Sequence, residues 1–420
     1  MKVYKFGGAS IKDAASVRNL LPIVNNFDEN LIIVISAMGK ITDALVDLAE
    51  NWFYDNEKID IIEEKLLEIK KFHFEITNEL IIDKNNPIFK TNENVFTFIF
   101  SKMMSMPSLD FDFEYDQIVP YGEILSSGIV SAFFNQEGVV NRWVDIGSCL
   151  KTESYFRDAH VDWELTDKLC HKVLNFEREQ IYVTQGFIGS TVRNLRTTLG
   201  REGSDFTGAI LAYVLDAECL TIWKDVEGVF NADPKYFSSP KKLPAISYHE
   251  AIELAYYGAN VIHPKTLKPL QNKNIPLFVK TFLNPSAEGT VIKNFDSILK
   301  LVPIYIFKRN QILVSISPKN FSFIVEENIS KIFSKLAELR ISANLMQNSA
   351  ISFSICADFD KVKFDTFINS LKNDFIVKYN TDLELITIRH YTKEAIESRI
   401  NDKTVYIQQK SRNTARFVVK

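Results

Sequence analysis

Short apolar runs alternate with helix-like segments through the first two thirds of the chain. Residues 31–36 are almost continuously apolar, which is typical of a strand buried on both faces. Similar runs predict strands over 3–6, 139–144, 181–184, 220–224 and 277–281. Helical spacing of apolar residues predicts helices over 11–27, 42–52, 206–215 and 249–257, with several more between 39 and 122. This alternation predicts an α/β fold in which helices sandwich a mostly parallel sheet.

The pattern changes after about residue 303. Strand, helix, strand, strand, helix and strand are predicted over 312–316, 326–339, 342–346, 351–355, 361–371 and 375–379. This βαββαβ order is the ferredoxin-like arrangement. A shorter unit follows, with strands over 383–389, 405–408 and 414–419 and a helix over 393–400. The sequence therefore predicts three domains, at 1–298, 305–380 and 381–420.

Composition excludes several classes of protein. The 420 residues include only 15 glycines, about half the usual share of ~7%. No two glycines are separated by one residue and no P-loop sequence occurs, so the common dinucleotide, protein-kinase and P-loop fingerprints are absent. The net charge is −4 and no basic run stands out, which argues against a nucleic-acid partner.

The lengths of the apolar stretches and the spacing of the cysteines indicate the cellular compartment. The apolar stretches are far shorter than the ~20 residues of a membrane span, and no signal-peptide pattern follows Met1. The four cysteines are widely spaced without a CxxC pair, so neither structural zinc nor a disulfide framework is expected. We therefore expect a cytoplasmic protein without a membrane partner.

Four glycine-containing segments carry residues suited to binding phosphate or carboxylate groups. Residues 5–10 place a lysine at a strand end before two glycines, where backbone amides can cradle an anion. Residues 197–205 combine an arginine, a serine and an aspartate with two glycines, and residues 223–235 form a loop after a buried strand. Residues 120–128 open a helix with a glutamate. From the residues alone, tight turns, capped helices and surface loops remain alternative interpretations.

In this order, the segments resemble the aspartate kinases of the amino-acid kinase superfamily. The resemblance covers about residues 1–295 densely and the tail loosely. Ala9 stands where the family has threonine, Glu202 where it has glycine, and Asn260 where it often has lysine. The matched segments are 5–10, 36–42, 122–123, 198–205 and 225–234.

The resemblance implies transfer of the γ-phosphoryl group of ATP to the side-chain carboxylate of L-aspartate, with Mg²⁺ as cofactor. This is the first step of lysine, threonine and methionine biosynthesis. Lys5 and Asp205 are the implied catalytic residues, and no residue is assigned as a dedicated metal ligand. The implied aspartate-binding residues are Ser36, Thr42, Glu123 (for the ammonium), Arg201 (for the α-carboxylate) and Ser204. The implied ATP-binding residues are Gly7, Gly8, Ser10, Lys224, Asp225, Phe230, Lys235, Asn260 and Val261.

The tail resembles the paired ACT regulatory domains of the same family. The resemblance implies an amino-acid effector and, because ACT domains commonly pair between subunits, a homodimer or higher homo-oligomer. The loop at 317–323, where such effectors bind, has no glycine, which leads to the hypothesis of lost or altered feedback control. Two alternatives remain open: a kinase of the same fold with another amino acid or carbamate as acceptor, and a catalytically weak effector-binding protein.

Overall fold

The computed structural model describes residues 1–25, 29–54, 59–259, 262–295, 301–320 and 322–420. They form two compact units. The first comprises Met1–Val229, Lys242–Ile252 and Ile262–Ser297. The second comprises Phe230–Lys241, Glu253–Val261 and Ile298–Lys420.

An eight-stranded sheet organises the first unit, in the order β10-β12-β11-β7-β1-β2-β4-β3. β11 and β12 pair antiparallel, whereas the other neighbouring strands pair in parallel. Two further pairs, β5 with β6 and β8 with β9, lie outside this sheet. The strands are β1 (Lys2–Phe6), β2 (Leu31–Ile35), β3 (Arg142–Val144), β4 (Ile181–Gln185), β5 (Ile188–Ser190), β6 (Arg196–Thr198), β7 (Cys219–Lys224), β8 (Val229–Phe230), β9 (Lys242–Leu243), β10 (Ala245–Ser247), β11 (Leu277–Thr281) and β12 (Thr290–Lys293).

Helices follow most of these strands, as the alternating pattern predicts. They are α1 (Ala14–Arg18), α2 (Leu21–Val24), α3 (Ile41–Tyr54), α4 (Ile59–Leu80), α5 (Pro87–Met103), α6 (Phe111–Ile118), α7 (Tyr121–Gln136), α8 (Trp163–Val173), α9 (Gly203–Val214), α10 (Tyr248–Tyr257) and α11 (Pro264–Lys273). Short 3-10 helices cover Gly8–Ile11 and Ile146–Ser148. The α/β class and the helical segment between 39 and 122 are therefore confirmed.

The prediction of one helix over 11–27 is wrong. The chain instead forms the 3-10 helix, α1 and α2, with Pro22 in the first turn of α2. Proline has no N–H and its ring clashes with the carbonyl four residues earlier, so α1 cannot continue through this point. The end of the predicted helix at Phe27 lies outside the described residues.

The central strands explain where a site can form. All five residues of β2 are buried, because its apolar side chains face helices on both sides of the sheet. β1 lies between β2 and β7, so the carboxyl ends of these strands lie side by side. Open parallel sheets bind ligands at this edge.

A six-stranded antiparallel sheet in the order β14-β15-β13-β16-β18-β17 dominates the second unit. The predicted βαββαβ order and the shorter unit after it are both present. The elements are β13 (Ile304–Pro318), α12 (Glu326–Glu338), β14 (Ala343–Asn348), β15 (Phe353–Asp358), α13 (Lys361–Leu371), β16 (Phe375–Arg389), α14 (Lys393–Ile400), β17 (Val405–Lys410) and β18 (Thr414–Val419).

The separate strands predicted over 375–379 and 383–389 are one continuous strand, β16. The polar residues 380–382 are typical of a turn, yet β16 stays paired with β13 along this stretch through shifts of register. Asp382 takes a left-handed conformation there, with φ of 57°. The two predicted tail domains thus share β13 and β16 in a single sheet. No helix of the described residues is long and apolar enough to cross a bilayer.

Candidate active site

A cavity of about 690 Å³ opens at the carboxyl ends of β1, β2 and β7. The described residues that line it all belong to the first unit. The sequence-predicted residues that line it are Lys5, Gly7, Gly8, Ser10, Ser36, Thr42, Glu123, Arg201, Ser204, Asp205, Lys224 and Asp225. Positions between 5 and 225 in the sequence are thus brought together in one cavity.

A buried ion pair lies in this cavity. Lys5, near the end of β1, places its Nζ 2.6 Å from Oδ1 of Asp205 in the first turn of α9. Burial alone would raise the pKa of Asp205, but the charges of Lys5 and Lys224 outweigh it and hold that pKa below its usual value. The carboxylate is therefore ionised at neutral pH, and Lys5 is held in a defined position.

The turn after β1 brings two backbone segments together. A side chain at Gly8 would place its Cβ 2.8 Å from the carbonyl oxygen of Gly39 and 2.9 Å from that of Ala37, so only glycine fits. The Ser10 hydroxyl donates to the carbonyl oxygen of Gly7 at 2.6 Å. Ser10 thus fixes the turn, and Gly8 lets it approach the loop that follows β2.

Glu123 is a carboxyl group buried in the first turn of α7, with 3% of its surface exposed. Burial raises its pKa to about 8, although the backbone amides of Ala37 and of Glu123 itself and the charge of Lys5 act in the opposite direction. Its Oε2 has no hydrogen-bond partner among the described residues. A buried acceptor without a partner is costly, and a cationic ligand in the cavity would satisfy it.

The start of α9 provides donors for an anion. In the described part of the chain, no side chain caps its first turn. Ser204 lies in that turn, and the exposed Arg201 next to it makes no ion pair with a described residue. Free amides at a helix N-terminus together with a guanidinium suit a carboxylate or phosphate group.

The backbone conformation at Glu202 shows why the aspartate-kinase motif has a glycine at this position. Its backbone is left-handed, with φ of 53°, a conformation that glycine adopts without a penalty. The Glu202 side chain offsets part of that penalty, since its Oε2 accepts a hydrogen bond of 3.0 Å from the backbone N–H of His263 at the start of α11.

Of the predicted nucleotide-binding residues, two described ones do not line the cavity and two fall outside the described part of the chain. Phe230 and Lys235 belong to the second unit. Asn260 and Val261 lie outside the described residues. Their assignment stays a prediction.

Five described lining residues lie outside the segments that the sequence indicated: Asp43, Tyr115, Arg157, Phe187 and Phe282. Asp43 directly follows the predicted Thr42, so proximity in the chain could have indicated it. Arg157 and Phe187 have left-handed backbones, with φ of 66° and 68°, and no sequence pattern reveals that conformation.

The carboxylates of the cavity suit a metal ion that arrives with a nucleotide. In the described ranges, no group of three or more histidine, cysteine, aspartate or glutamate residues could hold an ion by itself. Mg²⁺ usually binds to one or two carboxylates together with substrate phosphates and water. Asp205 and Asp225, which both line the cavity, form a donor set of that size.

Comparison with known proteins identifies the family. The profile of the amino acid kinase family matches residues 1–281. Lysine-sensitive aspartokinase 3 of Escherichia coli (strain K12) is 32% identical over 360 residues, which are 85% of this chain and 78% of that protein. The structure of E. coli aspartokinase III in complex with lysine and aspartate has a TM-score of 0.82 at 28% identity, with 100% of this chain and 96% of that chain covered. Its complex with aspartate and ADP gives a TM-score of 0.81 at 27% identity over the same shares. The chain therefore belongs to the amino acid kinase family and, within it, to the aspartokinases.

Proposed function

We propose that this cavity carries out the aspartokinase reaction, in which ATP and L-aspartate give ADP and 4-phospho-L-aspartate. The observation that carries the proposal is the buried Lys5–Asp205 pair, which shares its cavity with a Glu123 carboxyl oxygen that has no hydrogen-bond partner among the described residues. The acceptor carboxylate of aspartate has a pKa of about 3.9 and is ionised at pH 7, so the reaction needs no general base. It needs positioning and positive charge around the transferred group.

The phosphate side of the cavity is assigned to the ends of β1 and β7. Lys5 would stabilise the charge that develops on the γ-phosphoryl group, and the amides of the Gly7-Gly8 turn would contact the phosphate oxygens. Asp205 and Asp225 would hold Mg²⁺, which neutralises phosphate charge when it is bound. We also assign Lys224 to this side, and keep Phe230, Lys235, Asn260 and Val261 as proposed ATP contacts.

The aspartate side is assigned to α7, the loop after β2 and the start of α9. Glu123 would accept the ammonium group, because its buried Oε2 has no partner among the described residues. Arg201 would bind the α-carboxylate in a bidentate manner. Ser36, Thr42 and Ser204 line the same cavity and would donate hydrogen bonds to the substrate.

A coupled assay of ADP release tests the reaction. With ATP and Mg²⁺, we expect turnover with L-aspartate and background rates with L-glutamate, carbamate or UMP. An acyl phosphate reacts with hydroxylamine, so the aspartate reaction should also yield a hydroxamate. ADP release with another acceptor, or ADP release without hydroxamate, would show that the assignment of the acceptor is wrong.

We propose a regulatory role for the part of the second unit that follows residue 304. We assign catalysis to 1–298 and amino-acid binding to ACT-like domains at 305–380 and 381–420 of a cytoplasmic homodimer or higher homo-oligomer. The lysine bound to E. coli aspartokinase III supports an amino acid as effector. The four cysteines are free, which fits a reducing compartment.

The glycine-free loop at 317–323 leads to a prediction about feedback. Lysine or threonine at about 10 mM should change kcat/KM less than about fivefold, the low end of typical allosteric couplings. Initial rates at a fixed ATP concentration and at aspartate concentrations well below KM, with and without each amino acid, measure this. Strong inhibition by either one would contradict the hypothesis of altered control.

A further inference from the structure

Among the described residues that line the cavity, three that are not glycine have left-handed backbones: Arg157, Phe187 and Glu202. Such conformations are disfavoured for residues with a side chain and persist only where the surroundings hold them. Arg157 lies in none of the sequence segments that indicated the function. Its backbone must therefore be held in place by contacts that the motifs do not contain.

Asp116 of α6 provides those contacts. It is completely buried, and its Oδ2 accepts hydrogen bonds of 2.9 Å from the backbone N–H groups of Arg157 and of Thr198. Its Oδ1 accepts a third bond, of 2.7 Å, from the Thr198 hydroxyl. Thr198 lies three residues before Arg201. One buried carboxylate thus ties the loop of Arg157 to the strand that leads to Arg201.

The Arg157 side chain is oriented by three residues of the same helix as Asp116. Its guanidinium carbon lies 5.4 Å from the ring centroid of Phe111 and 4.7 Å from that of Tyr115, which also lines the cavity. Its Nη1 donates to Oδ1 of Asp112 at 2.9 Å. A guanidinium has five N–H donors in a fixed plane, so donors remain for a ligand after the Asp112 contact.

The charges of the substrate show what Arg157 can bind. L-Aspartate carries one ammonium and two carboxylate groups. Among the described lining residues, the cations are Lys5, Lys224, Arg157 and Arg201. Lys5 and Lys224 act on Asp205 at the phosphate side, and Arg201 is assigned to the α-carboxylate. This leaves Arg157 for the second carboxylate.

We propose that Arg157 binds the side-chain carboxylate of L-aspartate and that Asp116 is a positioning residue that holds Arg157 in its left-handed conformation. This assignment rests on the proposed function and adds a specificity-determining contact to it. Arg157 distinguishes a carboxylate from an uncharged group at the end of the substrate side chain. L-Asparagine has a neutral amide there, with one acceptor oxygen and no charge, so it gains much less from this contact.

The test is Arg157→Gly, since glycine adopts a φ of 66° without strain and the fold should keep its melting temperature. KM for aspartate should rise about tenfold to hundredfold, because this is the loss of affinity expected when one hydrogen bond to a charged group is removed. KM for ATP should stay within about twofold. In calorimetry, the variant should bind aspartate and asparagine equally, whereas the wild type prefers aspartate. Arg157→Lys keeps the charge and should restore part of the preference.

Two further variants complete the experiment. Arg340→Gly makes the same change at a left-handed, exposed arginine of the second unit and should leave both KM values unchanged. Both carboxyl oxygens of Asp116 accept hydrogen bonds, and Asp116→Asn replaces one of them by an NH2 group, which cannot accept. Arg157 should then be held less firmly, so KM for aspartate should rise and KM for ATP should not. An unchanged KM and an unchanged preference for aspartate in Arg157→Gly would overturn the assignment. A wild type without aspartate-dependent ADP release would instead overturn the proposed function.

Discussion

Replacing Lys5 by methionine should lower kcat about 10³-fold or more, the range found when a cation that stabilises a phosphoryl-transfer transition state is removed. Lys5 is 8% exposed near the end of a central strand and lines the cavity. The substitution therefore removes a positive charge inside the cavity and leaves the charge of the outer surface unchanged. Methionine has a similar length and fills the same space. KM for aspartate should change little, because Lys5 is assigned to the phosphate side. Steady-state kinetics with each substrate varied in turn measure both values.

The same substitution also removes the partner of a buried carboxylate. Asp205 has a side chain that is 5% exposed, and breaking a buried ion pair costs about 3–5 kcal/mol of unfolding free energy. Loss of activity could then reflect loss of structure. The double variant Lys5→Met/Asp205→Asn removes both charges and should recover most of that stability without recovering activity. If Lys5→Met keeps kcat within about tenfold, or the double variant regains turnover, Lys5 does not have this role.

The elements that position the ion pair were predictable from sequence, because they depend on local patterns. The apolar run at 31–36 is typical of a buried strand, and the glycine pair that follows the strand of Lys5 indicates a change of chain direction. The break at Pro22 could have been predicted as well, since proline acts on its immediate neighbours. By contrast, residues 380–382 have the composition of a turn, and the long-range pairing of β13 with β16 overrides it.

The contacts behind Arg157 could not be predicted from local patterns. Asp116 bonds to Arg157 and Thr198, which are 41 and 82 residues further along the chain. Neither distance follows from a spacing rule, and an aspartate in a helix is ordinarily exposed. Only the fold shows that this carboxylate is buried between two loops of the cavity. Long-range polar contacts of this kind were the part of the site that the sequence did not reveal.

Glu123→Gln should raise KM for aspartate about 10²-fold to 10³-fold, the cost of removing one partner of a buried charge pair. The pH dependence distinguishes this role from a structural one. The pKa of Glu123 is about 8 without substrate, so the carboxyl is mostly protonated at pH 7. An ammonium group binds the ionised form. KM for aspartate in the wild type should therefore fall about tenfold between pH 6 and 7, by a smaller factor between pH 7 and 8, and level off above, whereas the variant should lack this fall.

As the pH rises, the Glu123 carboxyl should lower the stability of the fold while it raises the affinity for aspartate. The pKa of Glu123 in the folded protein lies above its usual value of 4.5, so this group favours folding at low pH, and that contribution is lost as the pH rises from about 4.5 to 8. Glutamine does not titrate, so Glu123→Gln should melt no lower than the wild type at pH 8. Glu137→Gln makes the same change just beyond the other end of α7 and should leave KM, its pH profile and the melting temperature unchanged. A melting temperature of Glu123→Gln well below the wild type at pH 8, with an unchanged pH profile of KM, would mean that Glu123 supports the fold and does not bind the substrate ammonium.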